Sequence, residues 1–326
     1  MESARLQERI MSARYLGIAL LACSCLGGAN AQVAASDVIA VWHVRDGIYM
    51  LVGAGGNTTV HVGKDGVLIV DTKLASASDA LLAAIRKLSD KPIRYVINTH
   101  WHADHVGGNE TIAKAGSTIA GGNVSGAISD ADVGAAVIAH EQVLVHMSSQ
   151  QAPPPFDAWP TDTFFTPRKD LFFNGEAIEI LHQPAAHTDG DSLVFFRRTD
   201  VISTGDVFMT TGYPVIRPED GGSIDGVVAA LNRIIEITVP EEKQEGGTLV
   251  IPGHGRLCDE ADVVDYRDMV TIIRDRIKSM VAMGMTLRQV QAAKPTADYD
   301  PRYGATSGRW TTEQFVAAAY ESLKSK

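Results

Sequence analysis

The chain has 326 residues, of which 45% are hydrophobic and 21% are charged, and its formal net charge is -10. These values are typical of a globular protein with a sizeable core, built as one large domain or two small ones. The negative charge argues against nucleic acids and anionic membranes as partners, because both are bound through Lys and Arg side chains. We therefore expect a small-molecule substrate.

Residues 1–31 have the layout of a secretory signal peptide. Arg14 supplies a positive charge, Leu16–Leu26 is an apolar run, and Ala29–Ala31 offers a small-x-small cleavage site. The apolar run is too short to cross a bilayer as a helix. We expect removal of residues 1–31, a mature chain that begins near Gln32, and a periplasmic or secreted protein.

Two details of this segment leave alternatives open. The first ten residues are unusually charged for a signal peptide, so Met11 is a second candidate for the true start. Leu20–Cys23 resembles a lipoprotein cleavage box, so a lipid anchor on Cys23 is an alternative to release, and a buried N-terminal helix is a third interpretation.

Removal of the segment leaves Cys258 as the single cysteine, so we expect no intramolecular disulfide. We interpret Cys258 as a buried small residue rather than a metal ligand.

Residues 38–73 predict a meander, because apolar runs alternate with tight turns. The turn Gly53–Asn57 lacks the Lys-Ser/Thr of a phosphate loop and precedes no helix, so we exclude nucleotide binding. His43 and His61 fall within strand patterns and are interpreted as structural. The predicted strands are Val41–Val44, Gly47–Val52, Thr58–Val62 and Val67–Asp71.

Strand-helix-strand units follow the meander. Apolar spacing predicts a helix over Ser76–Leu88, and a strand begins at Pro92. A second unit has a short helix over 110–115 and a strand over 118–120. A further helix is predicted from Val133 to Ser149, with His140 and His146 facing solvent. The Pro-rich segment Pro153–Pro160 fits a binding loop and a plain surface linker equally well.

The second half repeats the alternation of strands and helices, and it contains no solenoid-like repeat. We therefore expect one domain over residues 32–326. His182 is interpreted as structural. The predicted strands are Leu171–Glu176, Ala177–His182, Ser192–Phe196, Val201–Phe208 and Thr248–His254, and the predicted helices cover 225–237, 259–283 and 313–324.

A dense group of possible metal ligands follows the strand that ends at Ile97. His100, His102, Asp104 and His105 lie within six residues, and imidazole and carboxylate are ligands of Zn²⁺. His100 and His102 point the same way in extended chain, whereas Asp104 and His105 lie in a turn and can face a second position. This density of ligand types predicts a metal site.

The pattern H-x-H-x-D-H resembles the metallo-β-lactamase-fold hydrolases over about residues 40–275. The resemblance implies three further ligands at later strand ends: His187, Asp206 and His254. It also implies that Asp71 orients the ligand loop. Under this resemblance one metal takes His100, His102 and His187, a second takes Asp104, His105 and His254, and Asp206 bridges them.

The same resemblance implies an α/β fold, a four-layer αβ/βα sandwich of two mixed β-sheets with outer helices. It implies a cofactor of two Zn²⁺, with iron or manganese as alternatives. The expected activity is hydrolysis of an ester, thioester, lactone or amide-type carbonyl by a hydroxide that bridges the metals. Asp104 is expected to be catalytic as well as a ligand, by accepting the hydrogen bond of the hydroxide and later carrying a proton.

Three other functions stay open. A β-lactamase is one alternative, although its best-known branches carry Cys or Ser where this chain has Asp206. An iron enzyme of sulfur or oxygen metabolism is a second alternative, because His and carboxylate also bind iron. A binding protein with a vestigial site is a third, but the presence of every expected ligand argues against it.

Overall fold

A computed structural model describes residues 38–118, 134–243 and 246–324. Within these ranges, no helix is both long and apolar enough to cross a membrane. The predicted signal peptide and its cleavage site lie outside the described residues and stay predictions.

The first sheet has seven strands in sequence order. β1–β4 form an antiparallel meander, and β4–β7 pair in parallel. The predicted meander is therefore confirmed. The strands are β1 (Ala40–Arg45), β2 (Ile48–Val52), β3 (Thr58–Gly63), β4 (Gly66–Val70), β5 (Ile93–Ile97), β6 (Ala136–His140) and β7 (Asp162–Phe164).

The second sheet has five strands in the order β12-β11-β10-β9-β8. The pairs among β8–β11 are antiparallel, and β11 pairs with β12 in parallel, so this sheet is mixed as well. The predicted hairpin and the three later strands are confirmed, although β8 begins three residues earlier than predicted and β11 and β12 are shorter than predicted. The strands are β8 (Arg168–Phe173), β9 (Glu176–Gln183), β10 (Asp191–Phe196), β11 (Val201–Ser203) and β12 (Leu249–Ile251).

Helices cover the outer faces of the two sheets. Apolar residues recur with helical spacing on α5, and Ser223 begins that helix by accepting a hydrogen bond from the backbone N–H of Gly226. The described helices are α1 (Ser78–Leu88), α2 (Ala103–Val106), α3 (Asn109–Lys114), α4 (Glu141–Ser149), α5 (Ile224–Ile237), α6 (Glu260–Ala282), α7 (Leu287–Ala293), α8 (Asp300–Tyr303) and α9 (Thr312–Lys324).

Three buried clusters define the layers. One cluster lies between the sheets and joins residues such as Leu68 and Ile138 to Val194 and Ile251. A second packs α1 and α3 on the outer face of the first sheet. A third packs α5, α6 and α9 on the outer face of the second sheet. This arrangement confirms the predicted four-layer αβ/βα sandwich.

The prediction for residues 133–149 is wrong in its first part. Residues 136–140 form β6, a parallel partner of β5 and β7, and the helix begins only at Glu141. His140 is therefore buried, with 4% of its surface exposed, rather than facing solvent. His146 is half-buried, and its ring lies within hydrogen-bond distance of Asp189 Oδ1, at 2.8 Å. The predicted strand over 118–120 falls mostly outside the described residues.

Candidate metal centre

The ends of several strands meet at one edge of the sandwich and bring the seven sequence-predicted ligands together. His100 and His102 follow β5, and Asp206 lies in the turn after β11. His187 lies between β9 and β10, and His254 follows β12.

Three imidazoles form the first group. The ligand atoms of His100, His102 and His187 lie within 4.8 Å of one another. His187 Nε2 is 2.7 Å from His102 Nδ1. His100 Nε2 is buried and has no hydrogen-bond partner among the described residues, as a nitrogen that awaits a metal would be.

The second group joins Asp104, His105 and His254, whose ligand atoms also lie within 4.8 Å of one another. His254 Nε2 is 3.3 Å from Asp104 Oδ2 and 3.4 Å from His105 Nε2. The first group is largely buried, whereas Asp104 and His254 are 25% and 27% exposed. This side of the site is therefore open to a substrate.

The Asp206 carboxylate lies between the two groups. Its Oδ1 is 3.2 Å from His105 Nε2 and 3.4 Å from His254 Nε2. Its Oδ2 is 4.0 Å from His100 Nε2 and 3.8 Å from His187 Nε2. One oxygen thus faces each group, as a carboxylate that bridges two cations requires.

The imidazoles are held by hydrogen bonds on the side away from the site, as is typical of metal ligands. Asp71 accepts from His105 Nδ1 at 2.7 Å and from the backbone N–H and hydroxyl of Thr99 at 2.8 and 2.6 Å. The Thr99 hydroxyl lies 3.1 Å from His100 Nδ1. The carbonyl of Val215 lies 2.6 Å from His187 Nδ1. Asp71 therefore makes the orienting contacts expected of it.

Burial sets the charge of two imidazoles of the first group, His100 and His187. Burial lowers the pKa of His100 well below its usual value and lowers that of His187 to about 4, so both rings are neutral. A neutral imidazole has the free lone pair that a metal needs.

In the second group, the charges of neighbouring side chains outweigh burial in setting the pKa values. Burial disfavours protonation of His105 and His254, but the Asp206 carboxylate raises the pKa of His105 well above its usual value and that of His254 to about 9. Burial likewise opposes ionisation of Asp104, but its hydrogen bond with His254 lowers the pKa of the carboxyl to about 2. Bound cations would replace these protons as partners of the carboxylates. The donor set and the unpartnered His100 nitrogen thus fit a divalent-metal site.

Two buried side chains beside the site, Asp191 and Lys73, were not predicted from the sequence. Asp191 accepts hydrogen bonds from the backbone N–H and hydroxyl of Thr188 at 2.8 and 2.7 Å, which fixes the turn that carries His187. Burial raises the pKa of Asp191 to about 7. Lys73 is fully buried beside the turn Gly53–Asn57. The Thr-Asp-Gly-Asp sequence signals a tight turn for Asp191, but no sequence signal marks Lys73 as buried.

The three histidines interpreted as structural, His43, His61 and His182, lie outside the two ligand groups, as does His140. His43 is exposed and bonds to the carbonyl of Asp46, and His61 packs edge-on against Phe196 at 5.5 Å between ring centroids. His140 and His182 stack at 3.5 Å. Burial, followed by the charge of His182, lowers the pKa of His140 to about 4.

Cys258 is buried, as predicted. Burial raises the pKa of its thiol to about 12, which keeps the sulfur protonated and unsuited to a metal. Trp159 of the Pro-rich segment packs against a small buried cluster that includes Val143 and Met147, and no described residue of 150–160 lines the cavity beside the ligands.

That cavity has a volume of about 670 Å³. Its floor includes His102, Asp104, His187, Asp206 and His254. Segment 209–217 forms one wall, and the C-terminal residues 303–312 form another. The volume suits a small molecule, and the ligands lie where its reactive group would rest.

Comparisons with known proteins agree with this geometry. Residues 51–258 match the sequence profile of the Metallo-beta-lactamase superfamily. A linear primary-alkylsulfatase of Pseudomonas sp. is 24% identical over 285 residues, which are 73% of this chain and 50% of that protein. An alkyl/aryl-sulfatase of Saccharomyces cerevisiae is 31% identical over 86 residues, which are 26% of this chain and 13% of that protein.

Solved structures show the same fold. The stereoselective inverting sec-alkylsulfatase Pisa1 from Pseudomonas sp. superposes with a TM-score of 0.64 at 16% identity, over 87% of this chain and 50% of that one. A metallo-beta-lactamase from Pontibacter korlensis gives a TM-score of 0.56 at 16% identity, over 72% of this chain and 99% of that one. The chain thus spans about half the length of the linear primary-alkylsulfatase and about half the length of Pisa1.

Proposed function

The chain belongs to the metallo-beta-lactamase superfamily, and we propose that it is a metallohydrolase that cleaves small esters at a centre of two metal ions. The observation that carries the proposal is the pair of ligand groups that share Asp206 at the floor of an open cavity. No serine or cysteine nucleophile is needed at such a centre.

Zinc is the proposed metal, because the ligands are imidazoles and carboxylates and three imidazoles leave one position for a water molecule. Iron and manganese accept the same ligands and are the alternatives. When bound, two cations would lower the pKa of a water molecule and polarise the bond under attack. Asp104 would hold that water molecule through its carboxylate and accept its proton.

The proposed scissile bond belongs to a carboxylic ester, thioester, lactone or amide. A second candidate is a sulfate ester, which the two alkylsulfatase relatives favour. A β-lactam is a third test substrate because a lactamase shares the fold.

A substrate panel tests the proposal. We expect the zinc-loaded protein to hydrolyse one of these substrates, to lose activity with a chelator, and to regain it with Zn²⁺.

His254→Ala should keep about one zinc ion per chain, because it removes a ligand of the second group only. His43→Ala is the matched control, since His43 is exposed and lies outside both groups. Two retained metals in His254→Ala, or no hydrolysis of any substrate, would contradict the proposal.

We also propose export, from the signal-peptide pattern of residues 1–31. Intact-mass spectrometry of protein from its native host should find a chain that begins near Gln32. A lipid on Cys23 would add the mass of its acyl chains, and an uncleaved cytosolic chain would refute export. Metal analysis of the same material would distinguish zinc from iron.

A further inference from the structure

The cavity has an uneven distribution of charge. Among the described residues that line it, the charged side chains other than the proposed ligands are Arg217 and Arg309. The rest of the wall is neutral, with aromatic side chains from Tyr213, Tyr303 and Trp310. Two cationic side chains beside one cavity are conspicuous in a chain whose net charge is -10.

Arg217 is fixed beside a proposed ligand. Its backbone N–H donates to the carbonyl of His187 at 3.1 Å, two residues after the carbonyl of Val215 that orients the same imidazole. The ion-pair contact of its guanidinium among the described residues is with Glu219, at 3.5 Å. Glu219 is 63% exposed, so this contact is weak. The Nε of Arg217 is buried and has no hydrogen-bond partner among the described residues, so donors of this guanidinium are free for a ligand.

Arg309 comes from the C-terminal segment that the family profile does not match. The adjacent Trp310 donates its indole N–H to the carbonyl of Pro214 at 3.1 Å, which holds the segment against the wall that carries Arg217. The Arg217 guanidinium carbon is 5.8 Å from the centroid of the Trp310 ring. Arg309 is exposed, and no hydrogen bond or ion pair joins its guanidinium to any part of the chain that the structure describes.

We infer that Arg217 and Arg309 determine specificity by binding an anionic oxygen group of the substrate, while Trp310 packs on its apolar part. A guanidinium is permanently charged and matches carboxylate, sulfonate or sulfate oxygens in pairs of hydrogen bonds. This inference rests on the proposed function, because it places the anion in the cavity that holds the scissile bond. The anion is either a sulfate at that bond or a carboxylate elsewhere in the substrate.

Binding measurements test the inference without catalysis. The probes are hexane-1-sulfonate, hexanoate and hexan-1-ol, which share a chain length, contain no hydrolysable ester and differ in the head group. We expect calorimetry on the zinc-loaded protein to show tighter binding of an anionic probe than of the alcohol. Preference for the sulfonate identifies a sulfate-type group, and preference for hexanoate identifies a carboxylate.

Substitution locates the anion. Arg217→Gln and Arg309→Gln should each weaken binding of the preferred anion by about tenfold or more, whereas the Lys variants should retain part of it. Binding of the alcohol should stay unchanged. Arg302→Gln is the matched control, because Arg302 belongs to the same segment and is exposed but does not line the cavity.

The result that would overturn the inference is equal binding of the anion by the wild-type protein and both Gln variants, or an equal loss in Arg302→Gln. On a substrate from the panel, Arg217→Gln and Arg309→Gln should raise KM by about the factor by which they weaken binding of the anion, and they should change kcat little. If no panel substrate is hydrolysed, the proposed function fails while the calorimetry still decides the inference.

Discussion

Asp104 differs from the other carboxylate of the site in its surroundings. Asp206 is 8% exposed and lies between both ligand groups, whereas Asp104 is 25% exposed at the rim of the cavity. One oxygen of Asp104 faces His254, which leaves the other toward the cavity and a substrate. The position suits a group that acts both as ligand and as proton acceptor.

Asp104→Asn separates these two roles. An amide can still bind a metal weakly through its oxygen, but it has no basic oxygen to accept a proton. At saturating Zn²⁺ we therefore expect kcat to stay at least about a hundredfold below that of the wild-type enzyme. The measurement is kcat against zinc concentration, with the exposed Asp79→Asn as control. Full recovery with zinc would show that Asp104 is a ligand only.

Lys73 is a buried lysine beside the site with an unusual environment. Its backbone has a φ of 63°, and its ammonium donates to the carbonyls of Leu51 and Gly56 at 2.9 and 2.6 Å. It thereby ties the turn Gly53–Asn57 beneath His105. Burial lowers the pKa of Lys73 to about 7.

The lowered pKa makes stability depend on pH. Between the folded pKa of about 7 and the unfolded value of about 10.4, the unfolded chain binds more protons, so the free energy of unfolding rises with pH. From pH 7 to 9 we expect Lys73 to contribute a rise of about 2 kcal/mol. The raised pKa values of His105 and His254 act in the opposite sense over the same range, so the contribution of Lys73 is the difference between variants. In urea titrations, the change in the free energy of unfolding from pH 7 to 9 should be more positive by about 2 kcal/mol in wild type and in the exposed control Lys64→Met than in Lys73→Met. An equal change in Lys73→Met would rule out this contribution of Lys73.

Among the elements, the strands and helices with one dominant pattern could be predicted from the sequence. The meander has alternating runs between turns, and α5 and α6 have clear helical spacing, so these elements begin and end close to the predicted residues. The helix predicted over residues 136–140 is wrong, because a short apolar run fits a buried strand and a buried helix equally well. These residues form a strand because they pair in parallel with β5 and β7, which are distant from them in sequence.

Some residues of the site could likewise be predicted from the sequence, and others could not. The ligands could be found because they are dense in sequence or follow strands. The cavity wall could not, because Arg217 and Trp310 are far apart in the chain and meet only through the packing of the C-terminal segment. Burial of Lys73 likewise depends on a turn that folds over it.

Glycines allow the loops between elements to approach the ligands closely. A Cβ on Gly253 would lie 2.1 Å from Asp206 Oδ1, and one on Gly56 would lie 2.3 Å from the His105 ring. Such distances are well inside van der Waals contact, so a side chain at either position would displace a ligand.

Gly253→Ala should therefore reduce metal content, because Asp206 has to move and both metals lose their proposed shared ligand. We expect fewer than two zinc ions per chain by elemental analysis, with the far-ultraviolet circular dichroism unchanged. Gly212→Ala is the matched control, since its Cβ would lie 3.5 Å from the nearest atom, an ordinary contact. Two zinc ions retained by Gly253→Ala would mean that Asp206 is not the shared ligand.

At the scale of the whole molecule, the C-terminal segment is part of the core as well as a wall of the cavity. Phe315 of α9 is fully buried and stacks on Tyr213 at 4.7 Å between ring centroids. The Tyr213 hydroxyl donates to Asp300 at 2.8 Å. The same region packs against α5 and α6, which cover the second sheet. Residues beyond the family profile thus stabilise the wall on which substrate binding is proposed to depend.

Phe315→Ala tests whether the C-terminal segment unfolds together with the αβ/βα sandwich. The substitution removes a buried ring and leaves a cavity beside Tyr213, so we expect the free energy of unfolding to fall by about 3–5 kcal/mol in a single transition. Phe172→Ala is the control, because Phe172 is 73% exposed and its removal should cost about 0.5 kcal/mol or less. Urea titrations followed by both tryptophan fluorescence and circular dichroism make the measurement. If the two signals separated, with the fluorescence change at low urea and the circular dichroism midpoint unmoved, the segment would be a unit that unfolds independently of the sandwich.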